Sequence, residues 1–203
     1  MIFPLFALNY DFSLGHRNSV VFNTIIYPEI SLENDRIKSS IRVLENRQLD
    51  FLFIYKIING LFNLNTGLSN QIVDFNSISA SIFFTAEYCY KIKFFSLKIG
   101  AGMQLSILKT KYLQNHMFAL TPILLAVLEI NINKFTAQLY VNSHSFNDLS
   151  WRTYPVYGTV VQYDINNAVS IYTDVYVRAA EYLVDNWRMI NSLGVRLGLK
   201  INS

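Results

Sequence analysis

The chain is poor in charge. Lys, Arg, Asp and Glu together make up 15% of its 203 residues, whereas soluble globular domains carry about 25% charged residues. Hydrophobic residues account for 52% of the chain, and the mean hydropathy is +0.25. The net charge is only +3, and Lys and Arg are scattered along the chain. The composition therefore gives no signal for binding nucleic acid or another polyanion.

Long apolar runs are missing as well. A transmembrane helix needs about 20 consecutive, mostly apolar residues, and the longest apolar stretch here, Ile123 to Leu128, is far too short. An apolar chain without a spanning helix is either an all-β membrane protein or an unusually apolar soluble β domain. The length of 203 residues suits a single domain, residues 1–203, and no linker is visible.

Cysteine and histidine are scarce. The single cysteine, Cys89, excludes an intramolecular disulfide and a cysteine-rich metal site. The three histidines show no metal-site spacing. There is no glycine-rich phosphate loop either, because Gly100 and Gly102 fall inside a strand pattern, where small residues make room inside a barrel. The sequence therefore implies no metal and no cofactor.

The strongest signal that is present is an alternation of apolar and polar residues. Between Phe95 and Ile107 every odd position is apolar, and every even position from Ser96 to Ser106 is small or polar. Alternate side chains of a β-strand point to opposite faces. A tilted membrane-spanning strand needs about 9–11 residues. The pattern therefore predicts a strand with one apolar face and one polar face, long enough to cross a membrane.

Related patterns recur along the whole chain and predict about twelve strands. Residues 18–30 are ambiguous in their facing, and residues 117–130 are apolar on both faces. The predicted strands are 5–15, 18–30, 36–45, 48–58, 61–69, 77–91, 94–108, 117–130, 134–144, 153–165, 168–179 and 188–201.

Tight turns and longer loops alternate between these strands. The expected tight turns are 59–60, 92–93, 131–134 and 166–168, and the expected longer loops are 70–76, 109–116, 145–152 and 180–187. Asn59-Gly60 is a strong hairpin signal. The tight turns predict three register pairs: Ile58 with Leu61, Tyr90 with Phe95, and Ile130 with Phe135.

On these patterns the chain resembles a bacterial outer-membrane β-barrel protein over almost its full length, without pointing to one family. The resemblance implies an all-β fold: a closed antiparallel up-and-down transmembrane barrel of about 12 strands (10–12). It also implies a monomer in membrane lipid, inserted by the barrel assembly machinery, with both termini on the periplasmic, short-turn side. The last strand ends Leu199 to Ser203, not on the aromatic residue common in such proteins.

Export to an outer membrane requires a signal sequence. The first residues, MIFPLFALNY, lack a basic n-region and a full h-region. We therefore expect that a signal was trimmed or lies upstream of this start.

A soluble β-barrel or sandwich is the alternative, and the polar face argues against it. That face is rich in Ser, Asn, Gly, Gln, Thr and Tyr rather than Lys and Glu, which fits a polar lumen. Aromatic residues also lie near strand ends, where they could anchor the barrel at the membrane interfaces. The residues predicted to do so are Tyr55, Tyr88, Tyr90, Phe135, Tyr163 and, in a loop, Trp151.

The predicted lumen carries charges of both signs in near balance. We expect Glu87 to pair with Lys98 across a tight turn, and Arg196 to lie near Asp11 and Asp174. Such charges could hold the strands together, set ion preference, or do both. The residues predicted to line the lumen are Asp11, Lys56, Glu87, Lys98, Gln104, Asp174, Arg178, Arg196 and Lys200.

Twelve strands enclose a narrow bore, so we expect a channel for ions or small polar solutes. A plugged barrel with a structural or surface-interaction role is the second interpretation.

A lipid-modifying hydrolase is the third interpretation, and it starts from His144. Some outer-membrane lipid hydrolases place a His and a Ser two residues apart on one strand. Here Ser143 and Ser145 adjoin His144 and face the other side, while Asn142 and Phe146 hold the required positions. The spacing fails, and we name no catalytic residue.

Overall fold

A computed structural model describes residues 9–18, 25–44, 48–73, 77–109, 116–142, 156–178 and 192–202. They form twelve antiparallel strands. The strands are β1 (Asn9–Asn18), β2 (Ile25–Glu33), β3 (Ile37–Leu44), β4 (Gln48–Ile58), β5 (Phe62–Val73), β6 (Ser77–Ile92), β7 (Phe95–Lys109), β8 (Met117–Ile132), β9 (Phe135–Asn142), β10 (Val156–Asp164), β11 (Val169–Arg178) and β12 (Ser192–Ile201).

Each strand pairs with its neighbours in the chain, and β12 pairs with β1, so the sheet closes on itself. The predicted closed up-and-down barrel of about twelve strands is confirmed. Because the strand count is even, β1 begins and β12 ends on the same side, where the short turns lie. No helix in the described ranges is long and apolar enough to cross a membrane.

The apolar face of the strands points outward. Leu14 is 57% exposed and Phe118 is 65% exposed, whereas the inward-facing Ser106 and Asp174 are each 1% exposed. A soluble protein would place these residues the other way round. The outer surface is a continuous apolar band, which a bilayer can cover, and closure leaves no strand edge unpaired inside it.

Pro122 fits this arrangement without ending its strand. In soluble sheets proline is confined largely to edge strands and bulges, but Pro122 lies inside β8 opposite Met103 and faces outward. Both faces of β8 are apolar in the sequence, and the structure shows which one faces the lumen. Ile123 points into the lumen and is 1% exposed, while Leu124 points outward.

At two tight turns the strand pairing is shifted by two residues from the predicted register. Ile92 pairs with Phe95 and Ile132 pairs with Phe135, so the expected pairs of Phe95 with Tyr90 and of Phe135 with Ile130 are wrong. The first residue of each turn, Lys93 or Asn133, has a positive φ, which suits the twist of a two-residue hairpin. A shift of two residues keeps every side chain on its face, so the predicted faces remain correct.

The strand pairing at the hairpin after β4 also differs from its prediction. Residues 59–61 form the connection, and Ile58 lies opposite Leu64 after a register shift that follows Lys56. The expected pairing of Ile58 with Leu61 is therefore wrong. Part of the expected loop 70–76 is strand, because β5 continues to Val73.

The first two strands end later in the chain than the sequence suggested. β1 ends at Asn18 and β2 ends at Glu33, against the expected strands 5–15 and 18–30.

Five inward-facing glycines each lie opposite an aromatic residue of the neighbouring strand. In each pair, a Cβ added to the glycine would come within 2.1–2.3 Å of a ring atom, because the ring lies across the bare backbone. Glycine therefore provides the space in which large rings fill the lumen. The pairs are Gly15 with Tyr27, Gly67 with Phe83, Gly158 with Tyr140, Gly194 with Tyr176 and Gly198 with Tyr172.

Candidate functional site: the polar lumen

The short-turn mouth of the lumen carries a small charge cluster. Glu33, near the end of β2, lies 3.0 Å from the Lys56 ammonium and 3.5 Å from that of Lys38. Lys38 faces Glu33 directly in the β2–β3 register. All three side chains are partly exposed. Because water screens their charges, the cluster contributes little to the stability of the fold.

The next layer inward lies on β1, β10, β11 and β12. Asp11 faces Lys200 across the β1–β12 pair, but the two groups bond elsewhere. The Tyr172 hydroxyl donates to Asp11 Oδ1 at 2.8 Å, and Lys200 Nζ donates to Gln162 Oε1 at 3.0 Å. Lys200 also lies 5.4 Å from the centre of the Tyr172 ring, within range of a cation–π interaction.

A branched ion pair forms the third layer. Arg196 donates from Nη2 to Asp174 Oδ2 at 2.8 Å and from Nη1 to Glu29 Oε2 at 3.1 Å. The Tyr140 hydroxyl donates to the other oxygen of Asp174 at 2.9 Å. These residues come from β2, β9, β11 and β12. One cation therefore holds two carboxylates on different strands, and charge-assisted bonds of this kind are the stronger ones.

The fourth layer joins two tyrosines and a second ion pair. The hydroxyls of Tyr27 and Tyr176 lie 2.6 Å apart. The Arg42 guanidinium carbon lies 4.9 Å from the centre of the Tyr27 ring. Arg42 donates from Nε and Nη2 to Asp50 Oδ2 at 3.0 and 2.6 Å. Asp50 is fully buried, so its charge depends on this pairing.

The opposite wall is polar but less charged. Gln104 donates from Nε2 to Ser106 at 2.9 Å and to Ser81 at 3.1 Å. Asn65 donates to Glu87 at 2.8 Å. Phe83 adds a buried ring to this wall.

Side chains fill the lumen at these middle layers. Asp50 is 0% exposed, Asp174 1% and Gln104 2%. The free bore at this level is therefore narrower than the backbone of a twelve-strand barrel would allow. Among the residues that the structure describes, no group of three His, Cys, Asp or Glu side chains could hold a metal ion.

The two predicted charge contacts have different outcomes. Lys98 Nζ lies 3.7 Å from Glu87 Oε2, so this ion pair forms. It is diagonal, because Glu87 faces Gly100 in the register and Lys98 faces Cys89.

Arg196 contacts Asp174, as expected, but its second carboxylate is Glu29 rather than Asp11. Asp11 lies further towards the short turns and bonds to Tyr172.

The structure describes the positions of several other predicted residues. Lys56, Gln104 and Lys200 point into the lumen. The aromatic residues Tyr55, Tyr88, Tyr90, Phe135 and Tyr163 lie near the short-turn ends of their strands. Two pairs of aromatic rings are in contact at this end of the barrel. The ring centroids are 5.2 Å apart for Phe62 and Tyr88 and 4.9 Å apart for Phe135 and Tyr163. The Arg178 side chain, Trp151 and His144 lie outside the described residues.

Sequence reasoning missed Glu29 and the Tyr27–Tyr176 contact. The signal was available: from residue 27 to 33, Tyr27, Glu29 and Ser31 alternate with Pro28 and other apolar residues. The expected strand 18–30 ended before Ser31 and began nine residues before Tyr27. The alternation of residues 27–33 was therefore averaged with positions that do not share it.

No protein-family model and no curated protein sequence matches the chain. Solved structures with a similar fold include the Acinetobacter baumannii outer membrane protein Omp33, at 8% identity and a TM-score of 0.45, covering 98% of this chain and 99% of that one. The CymD monoaromatic hydrocarbon channel is 6% identical, with a TM-score of 0.49 and coverage of 97% and 88%.

Outer membrane phospholipase A from Escherichia coli is 10% identical, with a TM-score of 0.41 and coverage of 100% and 93%. The closed antiparallel barrel of this chain confirms the architecture that was expected from the sequence. Function has to be argued from the lumen of this chain.

Proposed function

We propose that this protein is a narrow channel of the bacterial outer membrane for ions or small polar solutes. The observation that carries the proposal is the lumen itself, which holds charged and polar side chains of β1, β2, β11 and β12 inside an apolar exterior. Polar side chains in the interior can replace the hydration shell that a solute loses on entry. Fixed charges there determine whether the pore prefers cations or anions.

The Arg196–Glu29–Asp174 cluster is the proposed constriction. Its three charged groups converge from β2, β11 and β12. With the Tyr27–Tyr176 contact, it limits passage to small solutes. We propose that the path is lined by Asp11, Lys56, Glu87, Lys98, Gln104, Asp174, Arg178, Arg196 and Lys200.

The test is single-channel recording of the refolded full chain in a planar bilayer. We expect small discrete current steps and, under a salt gradient, a reversal potential that reports the sign of the selectivity. Silence from protein that is shown to be folded and inserted, by circular dichroism and by co-flotation with vesicles, would contradict an open channel.

A plugged barrel is the second candidate, and the near-complete burial of Asp50, Asp174 and Gln104 favours it. The variant Tyr27→Ala separates the two, because it removes a ring from the fourth layer. A silent wild type together with a conducting variant identifies a plug. Conduction by both proteins identifies a channel, with a larger step in the variant.

The setting of the channel is also part of the proposal. We propose a monomer in membrane lipid, inserted by the barrel assembly machinery, with its short turns in the periplasm. The apolar exterior, the even strand count and the short turns on one side support this placement.

A further inference from the structure

A polar cavity of about 330 Å³ lies in the lumen at the short-turn end. This volume is at the lower limit of ligand sites, which range from about 300 to 1,000 Å³. The cavity therefore suits a small solute. The lining residues that matter here are Asp11, Glu33, Lys38, Gln138, Gln162 and Lys200.

Asp11 and Lys200 are opposite charges on facing positions, yet each bonds to a neutral group. Lys200 donates to Gln162 at 3.0 Å, and Asp11 accepts from Tyr172 at 2.8 Å. An ammonium has three donors and a carboxylate has about four acceptor positions. Both groups therefore keep hydrogen-bonding capacity for a solute in the cavity.

Glu33 and Lys38 are a second pair of opposite charges on facing positions, on β2 and β3, and these two groups form an ion pair. They lie 3.5 Å apart, and their side chains are 40% and 39% exposed. Arg196 also lines the cavity, but its charge is already paired with Glu29 and Asp174. The remaining lining charges are two acids, Asp11 and Glu33, and two bases, Lys38 and Lys200.

Charges of both signs on adjacent strands discriminate between solutes. A simple ion that approached Lys200 or Asp11 would be attracted by one and repelled by the other. A solute that carries an ammonium and a carboxylate satisfies both at once. An uncharged solute gains only neutral hydrogen bonds, which are weaker than charge-assisted ones.

We propose that this cavity is a binding site for a small zwitterion, such as a free amino acid or a short peptide. The proposal rests on the proposed function, because the channel supplies the route by which such a solute reaches the cavity. Asp11 receives the ammonium of the solute, and Lys200 receives its carboxylate. The Arg196–Glu29–Asp174 constriction lies directly inward of this site.

The test is a saturation-transfer NMR titration of the detergent-folded full chain with glycylglycine. N-acetylglycinamide serves as the uncharged probe of similar size. We expect glycylglycine to bind at least tenfold more tightly than the uncharged probe. The variants Asp11→Asn and Lys200→Met should each weaken glycylglycine binding about tenfold or more, the loss expected for one hydrogen bond to a charged group.

The matched control is Lys93→Met, because Lys93 is an exposed lysine of the β6–β7 turn. Its glycylglycine affinity should equal that of the wild type, and circular dichroism confirms that each variant is folded. Equal binding of the two probes, or no binding by folded wild type, overturns the proposal.

The titration does not depend on conductance. Current without glycylglycine binding would overturn the proposed binding site and support the proposed channel. Binding without current would overturn the proposed channel and support the proposed binding site.

Discussion

The hydroxyls of Tyr27 and Tyr176 lie 2.6 Å apart although 149 positions separate them in the chain. Tyr27 is on β2 and Tyr176 is on β11, and the terminal strands β1 and β12 lie between them. Each ring crosses a glycine of the intervening strand, Gly15 or Gly194. The contact therefore spans the seam at which the barrel closes.

The variant Tyr27→Phe keeps the ring and removes its hydroxyl. We expect the free energy of unfolding to fall by about 1 kcal/mol, because a single internal hydrogen bond has about that net value. Urea unfolding in phospholipid vesicles measures the change. The outward-facing Tyr157 provides the control, and Tyr157→Phe should have little effect. Equal losses in both variants would contradict a specific contribution from the seam contact.

The variant Gly15→Ala places a methyl group where the Tyr27 ring lies. The new Cβ would be 2.1 Å from Tyr27 Cζ, so the ring has to move. Overpacking of this kind costs about 1–3 kcal/mol. The control is Gly60→Ala, since nothing lies within 4 Å of a Cβ added at that turn. The same unfolding measurement should separate the two variants. Addition of Tyr27→Ala to Gly15→Ala should relieve the clash.

The variant Asp50→Asn removes the carboxylate to which the buried Arg42 guanidinium donates two hydrogen bonds. Removing one partner of a buried ion pair costs about 3–5 kcal/mol, and Asp50 and Arg42 side chains are only 0% and 7% exposed. Urea unfolding should detect the loss. The double variant Arg42→Met with Asp50→Leu should lose less, because neither charge of this pair remains buried. A larger loss in the double variant would show that hydrogen-bonded packing, rather than charge, dominates this site.

The variant Lys98→Glu reverses a charge that faces the lumen and lies 3.7 Å from Glu87. If Lys98 lines the conducting path, the reversal potential under a salt gradient should move towards that of the cation. Lys93→Glu makes the same change in net charge on an exposed turn and is the control. An unchanged reversal potential in Lys98→Glu removes this residue from the pore lining.

The single cysteine allows a test of access from one side. Cys89 faces the lumen near the short turns, and its Sγ lies 3.1 Å from Asn63 Nδ2. A charged methanethiosulfonate reagent added to the short-turn side should reduce the current, since it adds volume and charge near the mouth. The variant Cys89→Ser should not respond. A current that falls equally in both proteins would place the effect elsewhere.

Much of the fold could be predicted from local sequence. The alternation in residues 95–107 and in other segments is set by which side chains prefer lipid and which prefer a polar interior, and that preference acts on each residue separately. The inward positions of Lys98 and Arg196 were predictable for the same reason. The register at the tight turns was not, because a shift of two residues leaves the same faces apolar. Asn133 and Lys93 take positive φ values, and nothing in the alternation reveals that.

The sequence by itself determined the all-β class and the apolar face of most strands, since apolar and polar residues alternate and no apolar run is long enough for a spanning helix. The tertiary structure decided which distant groups meet in the lumen. Arg196 contacts Glu29 because closure brings β12 and β2 to either side of β1, and Tyr27 reaches Tyr176 because glycines leave space for both rings. Such contacts depend on ring closure, on the register of every strand and on the volume of each side chain, which one strand's pattern does not contain.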